Sequence, residues 1–143
     1  MGGLLFSFSG RLSRLRYFLL SVLTAALAGA ATAVLMVGIF AHGARVSESA
    51  LIACAAILVV VSIIGLSLTV RRLHDLDLAG WWVLAIWLAP SAVEGVLYQL
   101  ADSPKLASGL SGALTLAIAL WLWFMPGTRG ANRFGPDPRN AAA

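Results

Sequence analysis

Residues 50–82 read ALIACAAILVVVSIIGLSLTVRRLHDLDLAGWW, in which a long apolar run ends abruptly in charge. Two arginines, a histidine and two aspartates follow the run within the seven residues 71–77. An apolar run of roughly 20 residues can cross the hydrocarbon core of a bilayer as an α-helix. The stretch therefore predicts a membrane-spanning helix followed by a charged segment.

Three further runs of this kind occur in the chain. The four predicted spans are Tyr17–Ala41, Ala50–Val70, Trp81–Leu100 and Leu106–Met125. Of the 143 residues, 60% are hydrophobic and only 11% are charged, whereas a soluble domain carries about a quarter charged residues. We therefore expect an all-α polytopic membrane protein with four transmembrane helices, built as one integral membrane domain over residues 1–143.

The basic residues predict the orientation of these helices. Most of them lie in segments that four alternating spans would place on one side, namely Arg11, Arg14, Arg16, Arg71, Arg72, Arg129, Arg133 and Arg139. Only Arg45 and Lys105 lie in the other connections. By the positive-inside rule, the N- and C-termini are both expected in the cytoplasm.

Aromatic residues predict the same orientation. Those near the ends of the spans would lie at the cytoplasmic interface, where amphipathic rings prefer to be: Tyr17, Phe18, Trp81, Trp82, Trp121 and Trp123. The positive charge is thus interpreted as a topology signal. No nucleic-acid partner is expected, because the chain offers no basic helix or soluble module that could enter a groove.

The segments that flank the spans have their own patterns. Ser9 is a candidate helix cap, and Leu12, Leu15 and Leu19 would then share one helical face opposite the arginines. This predicts a short N-terminal interfacial helix, although the segment could equally be a plain charged flank. Residues 126–138, PGTRGANRFGPDP, predict a turn-rich cytoplasmic tail.

Three charged segments together resemble a known family. They are FSGRLSRLRYF at 8–18, RRLHDLDLAGWW at 71–82 and the tail at 126–138. In that order around apolar spans they resemble the bacterial membrane family known as domain of unknown function 805. The resemblance implies a multi-pass location in the inner membrane of a bacterial cell, and it brings no established biochemical activity with it.

The segment after the second span is a candidate binding site. We expect Arg71, Arg72, His74 and Asp75 in a short loop between two spans. Asp75 lies four residues after Arg71 and is predicted to pair with it. Arg72 and His74 would then be available as donors to an anion. The alternative is that the arginines only set the topology, with Asp75 neutralising them.

If the topology is correct, all three charged segments meet at one membrane face. The predicted site then consists of Arg11, Arg71, Arg72, His74, Asp75, Asn132 and Arg133. Three aspartates, Asp75, Asp77 and Asp137, can pair with three of the four arginines in this set. The remaining positive charge suits a phosphate or an anionic headgroup.

Glu94 is the second candidate, because it lies within the third predicted span. Counted from Trp81, it is roughly 20 Å into a hydrocarbon core about 30 Å thick. We expect it to face the bundle interior near Pro90, which would kink or break the helix. A carboxylate at this depth either handles a proton or cation, or is a structural group that reaches toward the interface.

Three functions remain open. The favoured one is a non-enzymatic membrane module whose cytoplasmic site binds an anionic lipid headgroup or a partner protein. The alternative is a small transporter or channel subunit that uses Glu94. A lipid-modifying enzyme using His74 and Asp75 is the weakest, because no nucleophile or metal accompanies them.

No cofactor or metal is expected, and the partners are membrane lipids. Cys54 is the single cysteine, and His42 and His74 lie on opposite sides of the predicted membrane. Ala25, Gly29 and Ala33 are spaced by four and would let another helix approach closely, either from this chain or from a homo-oligomer partner.

Overall fold

The computed structural model describes residues 3–42, 47–100 and 103–139, so Arg45 and residues 140–143 lie outside it. Five helices follow one another: α1 (Gly3–Phe6), α2 (Arg14–His42), α3 (Glu48–Asp75), α4 (Trp82–Leu100) and α5 (Pro104–Phe124). Of these, α2 to α5 are long and apolar enough to cross a membrane. The described ranges contain no β-strand, only an isolated bridge between Asn132 and Gly135. The all-helical prediction with four spans is confirmed.

The charged segment after the second span is helical, so its placement in a loop is wrong. Arg71 to Asp75 form the last turns of α3, and the chain leaves the helix at Leu76 and turns at Asp77, whose φ is +60°. Arginine and leucine are good helix formers, and basic side chains are favourable at a helix C-terminus. No glycine or proline lies between Gly65 and that turn.

The N-terminal helix predicted to begin at Ser9 does not form. Residues 7–13 are non-helical, and Gly10 has a φ of +85°, which favours glycine. The backbone N–H of Leu12 donates to the carbonyl of Arg71, and Leu12 is buried. The Ser67 hydroxyl donates to the carbonyl of Ser7. The segment is therefore bound to α3 along its length.

Proline 90 does not break α4, which continues from Trp82 to Leu100 with Pro90 inside it. Of the kink or break expected at this residue, the break does not occur. Proline is tolerated within transmembrane helices because neighbouring groups can satisfy the backbone groups that it frees.

The long helices pack as two hairpins, α2 with α3 and α4 with α5. The hairpins meet through fewer contacts, between α2 and α5 and between α3 and α4. The buried apolar cluster is concentrated where α2 and α4 begin and α3 and α5 end: Leu12, Tyr17, Leu68, Val70, Leu73, Val83 and Leu122. We call this end of the bundle, residues 7–17, 67–83 and 122–139, the polar end, because it carries the three charged segments.

Beyond the polar end, the helices expose large apolar side chains. Val34, Phe40 and Ile52 are all more than 60% exposed. A Cβ atom added at Gly29 would meet nothing within 4 Å, and Ala25 and Ala33 are also exposed. No described helix of this chain covers that small-residue face. Surfaces of this kind are expected where lipid is the solvent.

Ala107 in α5 is completely buried, whereas Ala113 in the same helix is exposed. Replacing Ala107 by Leu should overpack the site and lower the free energy of unfolding by about 1–3 kcal/mol. Ala113→Leu should be nearly neutral. Unfolding of both variants in mixed micelles of a mild detergent and dodecyl sulfate measures the difference, and equal stabilities would contradict the packing of α5.

Candidate functional site

The carboxylate of Asp75 is the centre of the polar end. Its Oδ2 accepts a 2.6 Å hydrogen bond from Nη1 of Arg72. Its Oδ1 lies 3.1 Å from Nε and 3.0 Å from Nη2 of Arg11. The side chains of Asp75, Arg72 and Arg11 are only 5%, 0% and 1% exposed. Both oxygens of a buried carboxylate are thus occupied by two guanidinium groups.

The guanidinium of Arg72 also joins α3 to the end of α5. Its Nε donates a 2.8 Å hydrogen bond to the carbonyl of Leu122, and its Nη2 donates to the carbonyl of Met125. The last carbonyls of a helix have no partner within the helix itself, and Arg72 provides one. The expectation that Arg72 is an available donor for an anion is therefore wrong.

Arg11 binds the tail in a similar way. Its Nη1 and Nη2 each donate a 2.6 Å hydrogen bond, to the carbonyls of Gly130 and Thr128 respectively. The backbone N–H of Thr128 in turn donates to the carbonyl of Asp75 at 2.8 Å. The N-terminal segment, the end of α3 and the tail are therefore bonded to one another.

His74 is also held by its neighbours. Its ring stacks on that of Phe134, with centroids 3.9 Å apart and planes 6° from parallel. Its Nδ1 lies 3.2 Å from the carbonyl oxygen of Gly10, so this nitrogen carries the proton. The amide of Asn132 donates to the backbone carbonyl of His74 at 2.9 Å. His74 is thus not an available donor either, and we call this network of Arg11, Arg72, His74, Asp75 and Asn132 the clasp.

Arg71 does not pair with Asp75, contrary to the prediction. Arg72 and Arg11 already occupy both carboxylate oxygens. Arg71 is only 6% exposed, and its Nε and Nη2 have no hydrogen-bond partner among the residues that the structure describes. Arg71 is therefore a residue of the predicted site that is buried at the polar end but takes no part in the clasp.

Two further ion pairs lie outside the clasp. Arg133 pairs with Asp77 at 3.2 Å, but both side chains are about half exposed or more, so the pair contributes little to stability. Asp137 was expected to offset one of the site arginines and instead binds Arg139 through both oxygens. The hydrogen bonds from the Arg139 side chain and backbone N–H hold the pKa of Asp137 well below its usual value.

Two glycines of the charged segments have a role that sequence reasoning missed. A Cβ atom at Gly127 would overlap the carboxylate of Asp75, and one at Gly80 would lie 2.9 Å from Val70 Cγ1 and 3.2 Å from His74 Nε2. Both positions therefore require glycine for close approach. The sequence marks Gly127 only as a turn former, because its contact lies about 50 residues away in the chain.

A cavity of about 580 Å³ opens beside the clasp. Its lining consists of Ser13, Arg14, Leu15, Asp75, Pro126, Gly127, Arg129, Pro138 and Arg139. Within the described ranges, Arg14 and Arg129 make no hydrogen bond or ion pair through their side chains, and both residues are exposed. Sequence reasoning had counted Arg14 and Arg129 as topology signals only. The structure places them together at one cavity.

Glu94 is half-buried in α4 and forms no ion pair with any described residue. A cavity of about 370 Å³ between the four long helices includes Pro90 and Ser91 in its lining, but not Glu94. The geometry therefore adds no support for an ion-handling role of this residue.

The chain matches a known family model over nearly its whole length. A family model described as "Protein of unknown function (DUF805)" matches residues 5–136, which include the whole clasp. No curated protein and no solved structure shows significant similarity to the chain.

Arg71 and Arg72 form a matched pair for testing the clasp, because they are adjacent, buried and identical in charge. Arg72→Met should lower the free energy of unfolding by about 3–5 kcal/mol, since it leaves Asp75 with one cation and two helix carbonyls without a donor. Arg71→Met removes a guanidinium that lacks described partners and should cost far less or even stabilise. Unfolding in mixed micelles measures both, and equal losses would contradict the assignment.

Proposed function

Because the chain belongs to the DUF805 family, whose description supplies no activity, we propose its function from the geometry of the polar end. The protein is a non-enzymatic membrane module of the bacterial inner membrane. Its polar end faces the cytoplasm and binds a phosphate-bearing anionic lipid headgroup. The binding site is the cavity beside the clasp, with Arg14 and Arg129 as the principal ligands and Arg139 next to them.

The observation that carries this proposal is that three arginines line one cavity. Asp75 also lines it, but Arg11 and Arg72 already neutralise that carboxylate. Arg139 is engaged by Asp137, while Arg14 and Arg129 have no such partner among the described residues. Planar guanidinium groups bind phosphate oxygens in pairs, with stronger hydrogen bonds than neutral donors make.

Binding is favoured over catalysis because the two residues of the enzyme hypothesis are not both available at the cavity. His74 does not line the cavity, and its partner in the weakest hypothesis, Asp75, is held by two arginines. A general acid or base needs a proton-transfer atom within reach of the substrate. The cavity instead offers cations, which suit the recognition of an anion.

The cytoplasmic orientation can be tested by reporter fusions to the full chain. A green fluorescent protein fused after Ala143 should fluoresce, since it matures in the cytoplasm and the basic polar end is expected there. Alkaline phosphatase inserted between α4 and α5 should be active, because that connection is expected on the outer side. The reverse pattern would contradict the proposed orientation.

Headgroup binding can be tested by lipid retention. The full chain is equilibrated in micelles of a neutral detergent with equal amounts of phosphatidylglycerol and phosphatidylcholine, and the lipid that stays bound is identified by native mass spectrometry. The parent should prefer phosphatidylglycerol. Arg14→Gln with Arg129→Gln should reduce the preference by about tenfold or more, because charge-assisted hydrogen bonds are lost.

Arg16→Gln with Arg133→Gln is the matched control, because it removes the same charge from the polar end outside the cavity. This variant should retain the preference of the parent. An equal loss in both double variants would show that overall charge determines binding. A parent without any preference would contradict the proposed function.

A further inference from the structure

An apolar groove of about 380 Å³ lies between the start of α2 and the end of α5. Its lining consists of Arg14, Leu15, Phe18, Trp123 and Phe124. Four of these five side chains are apolar, and Arg14 carries the one charge. The groove lies on the flank of two helices that are long and apolar enough to cross a membrane.

The groove continues from the cavity described above. Both include Arg14 and Leu15 in their linings, so they meet at these two side chains. On the side of the tail, the combined site offers Arg129 and Arg139. On the side of the helices, it offers only aromatic and aliphatic surface. Charge at one end and apolar surface at the other match a molecule with an anionic head and a hydrocarbon chain.

The floor of the groove is held in place by contacts across the two hairpins. The rings of Phe18 and Trp123 pack edge to face, with centroids 5.1 Å apart. Nε1 of Trp123 donates a 3.0 Å hydrogen bond to the hydroxyl of Ser21. Leu15 and Phe124, which are 65% and 69% exposed, form the open part of the lining. The groove is thus formed before any ligand binds.

We propose that cavity and groove together form one site for an anionic glycerophospholipid, which deepens the proposed function and rests on it. The phosphate binds Arg14 and Arg129, and one acyl chain lies along Leu15, Phe18 and Trp123. A free phosphate ion would use the cavity but leave the groove empty. A zwitterionic lipid would fill the groove but bring a second, cationic group to a site that already has an excess of arginines.

The test blocks the groove without touching the arginines. Leu15→Trp adds bulk at the open part of the lining, and Leu27→Trp is the control on the same helix. Leu27 is similarly exposed, at 52%, and does not line the groove. Each variant is equilibrated with phosphatidylglycerol and phosphatidylcholine as above. Glycerol 3-phosphate is then added as a competitor that carries the phosphate without an acyl chain.

Leu15→Trp should retain at least about fivefold less phosphatidylglycerol than the parent, because each methylene that loses its contact reduces affinity by up to about fourfold. Leu27→Trp should behave like the parent, and glycerol 3-phosphate should compete poorly. If Leu15→Trp retains as much phosphatidylglycerol as the parent, or if glycerol 3-phosphate competes effectively, the proposal that an acyl chain binds in the groove is wrong. The proposed headgroup site would be unaffected by either result. A parent without preference for phosphatidylglycerol would overturn both.

A second measurement on the unmodified chain does not depend on any variant. Phosphatidylglycerol with a photoactivatable diazirine on one acyl chain should crosslink to residues 15–18 and 123–124. Excess unlabelled phosphatidylglycerol should suppress this crosslink, and excess phosphatidylcholine should not. Crosslinks spread evenly over the exposed faces of α2 to α5 would show that the lipid has no fixed place and would overturn the proposal.

Discussion

The buried carboxylate of Asp75 is the group on which the polar end depends. A carboxylate removed from water is costly unless cations and hydrogen bonds surround it. Here Arg72 comes from the same helix and Arg11 from a segment 64 residues earlier, and both make further hydrogen bonds to backbone carbonyls. Loss of either arginine would leave one oxygen of the buried carboxylate without its cation. The N-terminal segment, α3 and the tail therefore adopt their arrangement together.

This constraint matters more in a membrane than it would in water. Lipid chains are as apolar as the sides of the helices, so apolar contact alone gives little net drive for helices to associate. The two hairpins of this protein share few contacts along their length, and their buried cluster lies at the polar end. The bonds from Arg72 to Leu122 and Met125 cross from one hairpin to the other. The clasp thus supplies a directional connection that apolar packing lacks.

The sequence predicts the spans well and the clasp poorly, for physical reasons. Apolar runs of sufficient length identify helices without knowledge of their neighbours, and all four are confirmed. The pairing of Asp75 depends on neighbours. Spacing along one helix favoured Arg71, four residues earlier, but the carbonyls of α5 and the Arg11 side chain decide in favour of Arg72. Nothing local to residues 71–75 indicates where residues 11 and 122 will lie. The same holds for Gly127, whose lack of a side chain matters only beside Asp75.

The arginines of the polar end thus differ in what they can bind. Arg11 and Arg72 donate inward, to Asp75 and to backbone carbonyls, and their side chains are almost completely buried. Arg14 and Arg129 line the cavity, on whose wall the same Asp75 lies. An isolated carboxylate there would repel a phosphate. Because two cations hold it from within the protein, the wall carries no uncompensated negative charge. The clasp therefore does more than join the helices: it makes the cavity beside it compatible with an anion.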